Sequence, residues 1–292
     1  MRHEPVLERG GAHGIVPPEG YGIVVGNCQA ESIRLVLDSP LTPTVRTTAV
    51  HEMTAQDARE LHELLRGAAF LVSQPIRDDY HGLPLGTSQM RASLPPGAPA
   101  IVVPVIRFAG LHPFQAAIRV DGVDHEPPVV AYHDVRTLAR AAGVPVRRRL
   151  AADEVRAIAA GSVAELQRRE QHVDVTVSDL FSAPRFAQMR TINHPGNAIF
   201  LPLGERVLRA LGRPAEPTDP GRPILSSVRA PREDWVVAAW EAGVAAHEDW
   251  LVGGRVVTAA EVREAHEHWY AANPAFVSAA TARLAPLLAQ WA

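Results

Sequence analysis

The sequence predicts an α/β fold, a parallel sheet flanked by helices, followed by a mostly helical C-terminal half. Three observations carry that expectation. Short apolar runs of the kind found in buried strands recur at Gly22–Gly26, Ala69–Val72 and Ile101–Phe108. Amphipathic helical patterns separate them: Ile33, Val36 and Leu37 mark one apolar face, and Ala58, Leu61 and Leu65 mark another. Strands that alternate with helices in this way line up in a parallel sheet covered on both faces, and such sheets bind ligands at the carboxyl ends of their strands.

The elements follow in order. A loose lead-in is expected over residues 1–20, then a single α/β domain over 21–292 whose portion from about 213 onward is helical. The first strand, Gly22–Gly26, turns at once into a helix opened by Asn27-Cys28-Gln29 and ended by Pro40 and Pro43. Val45–Val50 reads as a second strand. Thr54 with Asp57 reads as the capping box of the next helix. The third strand, Ala69–Val72, ends at Ser73-Gln74-Pro75. Residues 75–98, rich in Gly, Pro, Ser and Arg, read as a long loop, a feature often tied to function in compact domains. Ile101–Phe108 is the fourth strand. Residues 151–171 form an amphipathic helix, a later helix ends near Gly212, and 213–233 read as a Pro-, Gly- and Arg-rich surface loop. Thr258 with Glu261 makes a second capping box, and Asn273-Pro274 starts a C-terminal helix.

Composition excludes several classes of chemistry. A net charge of −3 gives no general attraction to nucleic acid or to acidic membranes. The N-terminal stretch has no apolar signal region and no run is long enough to span a bilayer, so a cytoplasmic protein without membrane insertion is expected. Cys28 is the sole cysteine, which rules out an intrachain disulfide and a multi-cysteine zinc site. All the basic residues are arginine. A chain without lysine has no P-loop lysine, no Schiff-base lysine and no kinase lysine. Gly20, Gly22 and Gly26 do not form a dinucleotide fingerprint, because Gly20 and Gly22 come before the strand's apolar run. No metal is expected either: His266 and His268 lie two apart on a helix and point in different directions.

Four segments could carry chemistry. Cys28, at a strand-to-helix turn, lies near the positive end of a helix dipole that stabilises a thiolate, and the amides of the same turn can hold an oxyanion. The alternative for an isolated cysteine is simple core packing. Asn27 and Gln29 flank it with neutral hydrogen-bonding groups. His194, between Asn193 and Pro195, sits in a loop ahead of a helix and is placed to act as a base, with Asn193 orienting a substrate oxygen; among 13 histidines the commoner role is structural or exposed. Gln74 stands at the end of the third strand as a neutral oxyanion or acyl contact, while Asp78 and Asp79 beyond it read as a solvated turn. Arg107 stands at the end of the fourth strand, where it can meet a phosphate, and His112 lies on the same rim. Arg147-Arg148-Arg149 reads as a solvated turn. Cys28, Gln74 and the Arg107–Pro113 segment, all following strands, are expected on one rim of the sheet.

The ordered set Gly26-Asn27-Cys28-Gln29, Ser73-Gln74-Pro75 with Asp79-Tyr80, Phe108-Ala109-Gly110-Leu111-His112-Pro113 and Thr191-Ile192-Asn193-His194-Pro195 resembles the WcbI family of polysaccharide-biosynthesis acetyltransferases over roughly residues 20–215. The first motif is also similar to that of the SGNH/GDSL hydrolases, with Cys28 where those enzymes carry a serine, which implies an SGNH- or flavodoxin-like core. Two departures stand out. Thr191, three residues before His194, replaces the aspartate of the SGNH block, so no carboxylate is assigned to orient His194. Leu111 and Phe114 flank His112-Pro113 where the family often has Tyr and Asp. The resemblance implies a coenzyme A-dependent O-acetyltransferase that uses acetyl-CoA to modify a sugar hydroxyl of a capsular or surface polysaccharide precursor. Cys28 and His194 would be its reactive pair, Asn27, Gln29, Gln74 and Asn193 would assist, and Gly26, Arg77, Arg107 and His112 would contact the cofactor. Two other readings use parts of the same set: a cysteine-dependent carbohydrate esterase, and a non-catalytic module that binds coenzyme A or a nucleotide through its arginines.

Overall fold

The structure is a computed structural model and describes residues 17–120, 122–123, 126–240 and 243–291. Most of the lead-in expected over residues 1–20 lies outside the described residues. The first elements are β1 (Gly22–Val25), α1 (Gln29–Leu37), β2 (Thr44–Val45), α2 (Ala55–Leu65), β3 (Phe70–Ser73), α3 (Thr87–Ala92) and β4 (Ala100–Val102). After them come β5 (Gln115–Ala116), β6 (His133–Asp134), α4 (Val135–Ala141), α5 (Ala152–Glu170), β7 (Met189–Thr191), β8 (His194–Pro195) and α6 (Asn197–Ala210). The chain closes with β9 (Val228–Arg229), α7 (Asp234–Trp240), β10 (Trp250–Val252), β11 (Arg255–Val257), α8 (Ala259–Ala272) and α9 (Pro274–Trp291). The fold is thus α/β, with a parallel sheet, flanking helices and a largely helical C-terminal half.

The described chain divides into two compact units. One comprises the chain through Val105 with Leu166–Leu180 and Asn197–Leu225; the other comprises Ile106–Glu165, Phe181–Gly196 and Ser226–Ala292. The first unit holds the parallel sheet, in the order β2-β1-β3-β4, with Ile23 opposite Leu71 and Val25 opposite Ser73. Every residue of β1 and β3 is buried, as the apolar runs of 23–25 and 70–72 require of strands covered on both faces. Ile23, Val25 and Leu71 pack with Ala58, Leu61 and Leu65 of α2 on one side. Each fully buried aliphatic side chain contributes roughly 1.5–3 kcal/mol here. Helix α1 lies against α6, where a Cβ on Gly204 would come within 2.8 Å of Val36 Cγ2; a side chain at that position would push the two helices apart. The Thr54 capping box is present: Thr54 Oγ1 accepts from Asp57 N, and Asp57 Oδ2 accepts from Thr54 N at 2.8 Å.

Three elements differ from the sequence reading. The second strand pairs only over Thr44–Val45 instead of Val45–Val50. The Thr47 hydroxyl donates to Val24 O at 3.0 Å and the Val50 amide to Gly26 O at 2.8 Å, so this segment caps the end of β1 rather than extending a ladder beside it. The fourth strand stops at Val102 rather than Phe108, since Pro104 has no N–H to donate and β3 ends at Ser73. The long loop over 75–98 contains the short helix α3, which is anchored by the fully buried Met90.

The second unit is built differently. An antiparallel sheet β11-β10-β9 stands beside the two-stranded pairs β5-β6 and β7-β8. Tyr132, Ile192, Ala230, Trp250 and Val262 form one core cluster, and Leu138, Tyr270, Phe276, Val277 and Ala280 form another among α4, α8 and α9. The Thr258 capping box opens α8 as its sequence indicated, with Glu261 Oε2 accepting from Thr258 N at 2.8 Å. The β9–β11 sheet was not apparent in the sequence, because strands of two or three residues are too short to show an alternating pattern.

Candidate active site

In the first unit, β1 ends and α1 begins within three residues, and Cys28 is the N-cap of α1. It is half-buried, not fully enclosed in the core. Side chains fix the turn around it. The Asn27 amide donates to Gln74 Oε1 at 2.8 Å, the Gln29 amide donates to Asn27 Oδ1 at 2.9 Å, and Gln74 Nε2 donates to Gln29 Oε1 at 3.0 Å. Gln29 and Gln74 are 0% and 2% exposed, which makes this a buried polar network whose members satisfy one another.

Two further features hold Gln74. Its carbonyl accepts from the Thr87 hydroxyl at 3.0 Å and from the Ser73 hydroxyl at 2.7 Å. Its carboxamide lies so near the backbone that a Cβ on Gly26 would come within 2.5 Å of Oε1. Glycine at this position therefore lets Gln74 reach the turn. Sequence reasoning placed Gly26, Asn27, Cys28, Gln29 and Gln74 in one site, and the structure brings these five together. It missed Thr87, which arrives on α3. The Gln29 amide, considered above for an oxyanion, is occupied by Asn27 Oδ1, and both ends of the Gln74 carboxamide are engaged; Gln74 acts as a brace for the turn. Arg77 follows in an exposed loop.

The other candidates lie in the second unit. His194 opens β8, paired with Thr191 of β7. Asn193 Oδ1 accepts from the Tyr132 hydroxyl at 2.8 Å and from the Thr191 hydroxyl at 3.3 Å. The Tyr132 ring meets the His194 ring edge-on, with centroids 5.6 Å apart, and Trp250 stacks on Tyr132 at 6.2 Å. Burial, with the charge of Arg190, pushes His194 down to about 4. The charge that disfavours the imidazolium here is that of the Arg190 guanidinium. Arg107 is half-buried.

His112 lines a cavity of about 320 Å³ in this unit, together with Arg190, Arg229, Arg232, His247 and Trp250. It is 7% exposed and is held down to about 4, chiefly by burial and further by the charges of Arg232 and His247, while the backbone of Met189 and Pro231 pulls the other way. The three arginines of this cavity went unnoticed in the sequence, because they come from separate segments and no motif links them. Arg147 and Arg149 of the basic run pair instead with Glu154 at 2.8 Å and Asp234 at 3.0 Å on the surface. Among the described residues no group of three His, Cys, Asp or Glu side chains is placed to hold a metal, and no helix is long and apolar enough to cross a membrane.

Comparison with known proteins decides the family. The family model described as polysaccharide biosynthesis enzyme WcbI matches residues 21–216, well over half of the chain. The chain belongs to the WcbI family. The match begins at β1 and ends after α6, so it contains the Cys28 turn, Gln74, His112 and the His194 loop, but not Arg229, Arg232 or Trp250. A solved WcbI structure, described as a novel polysaccharide biosynthesis enzyme in its native form without a disulfide between coenzyme A and one of its cysteines, shares the fold. Its TM-score is 0.71 at 19% identity, and the alignment covers 91% of this chain and 99% of that one. No curated protein matches the chain.

Proposed function

We propose that this WcbI-family chain is a coenzyme A-dependent O-acetyltransferase acting on a sugar hydroxyl during polysaccharide biosynthesis in the cytoplasm, with Cys28 as the acyl-carrying residue. The observation that carries this reading is the braced turn: a half-buried thiol at the N-terminus of α1, its neighbours locked by the Asn27, Gln29 and Gln74 hydrogen bonds of 2.8–3.0 Å. The family match supplies the polysaccharide context, and the coenzyme A named for the related structure suggests the donor. In this reading Arg77 and Arg107 meet donor phosphates.

The α1 dipole favours the Cys28 thiolate. Cys28 Sγ forms a bond to the acetyl carbon as the bond to the donor's sulfur breaks, and the proton lost by the Cys28 thiol ends on the departing sulfur. The sugar hydroxyl then attacks the acetyl-cysteine, His194 takes the hydroxyl proton, and the Cys28 thiolate is released. The Cys28 amide and the Asn27 carboxamide nitrogen meet the charge that builds on the acetyl oxygen, while Gln74 holds the turn that presents them. Asn193, fixed by Tyr132, orients the acceptor beside His194.

Calorimetric titration of coenzyme A into wild type and Cys28→Ala, beside intact-mass measurement after incubation with acetyl-CoA, tests the reading. Binding to both proteins, with a gain of one acetyl group only in the wild type, is expected. Absence of coenzyme A binding to either, together with release of acetate from an acetylated sugar without coenzyme A, would overturn it in favour of an esterase.

A further inference from the structure

We propose that the cavity lined by Arg190, Arg229 and Arg232 is a subsite for the diphosphate group of a small-molecule reaction partner. Five strands and loops meet there. Arg190 lies on β7 and Arg229 on β9, and the Ala230 amide bonds to Arg190 O at 2.8 Å. Arg232 and His247 exchange backbone hydrogen bonds of 2.8 and 3.0 Å, which fixes both at the cavity wall. The Arg232 guanidinium lies over the Phe186 ring, 5.7 Å from its centroid, and is steadied there. Three cationic side chains are therefore mounted on paired backbone, not on loose surface arms.

Their charge calls for an anion. The cavity walls carry three arginines against one carboxylate, Asp249, an excess of two positive charges even with both histidines neutral. Arg190 is lowered from its ordinary value first by burial and then by the charge of Arg229, so two guanidiniums repel each other in a half-buried setting. Arg229 Nε is buried without a hydrogen-bond partner among the described residues. A buried donor left in this way carries a desolvation penalty that a ligand oxygen relieves. Among the described residues neither Arg229 nor Arg232 forms an ion pair. A dianionic group with several oxygens answers all of these observations, and planar guanidinium forks match phosphate oxygens better than any other side chain does.

The remaining wall indicates what the phosphates are attached to. Phe186, Met189, Trp250, Leu251 and Val256 supply the apolar part of the lining. The volume of about 320 Å³ accepts a diphosphate with one attached ring. Trp250 stacks on Tyr132, whose hydroxyl holds Asn193, and Arg190 acts on His194. A diphosphate here sits beside the residues assigned to the acceptor's proton. Two partners of the proposed reaction carry this group: the acyl donor, through its own diphosphate, and a nucleoside-diphosphate-activated sugar as acceptor. Only this assignment to a reaction partner rests on the proposed function; the charge and geometry of the cavity do not.

Calorimetry with sodium pyrophosphate as the probe tests the subsite. Saturable one-to-one binding to the wild type is expected, weakened at least tenfold in Arg229→Gln and in Arg232→Gln, with thermal melting confirming that both variants fold. Cys28→Ala should bind pyrophosphate as the wild type does, which separates this test from the acetyl-transfer reading. Competition of pyrophosphate with coenzyme A would assign the subsite to the donor, and competition with UDP-glucose alone to the acceptor. Absence of pyrophosphate binding, or equal binding by both glutamine variants, would overturn the subsite; binding that neither ligand displaces would overturn its assignment to a reaction partner.

Discussion

Acidification should destabilise this protein through His133, and His133→Phe should blunt the effect. His133 is 1% exposed, its ring stacks on Phe276 with centroids 4.8 Å apart, and its Nδ1 lies 2.6 Å from the Tyr270 hydroxyl. Burial, then the neighbouring His266, pushes it from 6.5 down to about 4. The folded pKa is lower than the unfolded one, so as pH falls through 6.5 the unfolded chain takes up a proton that the folded chain refuses. Stability is therefore lost between pH 6.5 and about 4 and levels off below. For those two values the loss between pH 7 and pH 5 is about 2 kcal/mol, and it approaches about 3 kcal/mol below pH 4. Urea unfolding at pH 7, 6 and 5 measures it. Phenylalanine keeps the stacking but leaves the Tyr270 hydroxyl without its partner, so the variant should start about 1 kcal/mol lower at pH 7. Its decline toward pH 5 should nevertheless be shallower by about 2 kcal/mol. Equal pH slopes in the two proteins would show that His133 is not held neutral by its surroundings and would refute the reasoning.

Three other outcomes follow from the same contacts. Gln74→Ala removes the acceptor of the Asn27 amide and the donor to the buried Gln29 Oε1, so it should cost about 1–3 kcal/mol in denaturant unfolding and slow acetylation of Cys28 more than Gln74→Glu slows it. Carbon-detected NMR should find His194 titrating near 4; Arg190→Gln or saturating pyrophosphate should each raise that value, because both remove the cationic charge that disfavours the imidazolium. Thr258→Ala loses the N-cap of α8 and should lower stability by about 1 kcal/mol, with Thr258→Asp restoring most of it in thermal melts at neutral pH.

Local features of the chain were legible wherever one short segment held the whole signal. The apolar runs of β1 and β3 read as buried strands, and the Thr54 and Thr258 boxes announced α2 and α8 because a cap is made by residues three apart. Cys28 was marked by its position between strand and helix. Gln74 was marked by its place after β3, yet its brace function was not visible. That function depends on parallel pairing of β1 and β3, which sets Val25 opposite Ser73 and so brings the next residues, Gly26 and Gln74, within contact.

Sequence by itself thus determined the α/β class, the starts of α1, α2, α8 and α9, the exclusion of lysine and disulfide chemistry and the grouping of residues 26–29 with Gln74. Tertiary structure alone decided where β2 and β4 stop, because those limits depend on which partner offers a hydrogen bond: Thr47 and Val50 turn to β1 carbonyls, and Pro104 has no amide to offer. It also decided the cationic cavity. No motif in the chain links Arg190, Arg229 and Arg232, and they become a site only when β7 and β9 set them around one space with a single carboxylate on its wall. Charge acts through distance in the folded protein, and sequence separation carries no record of that distance.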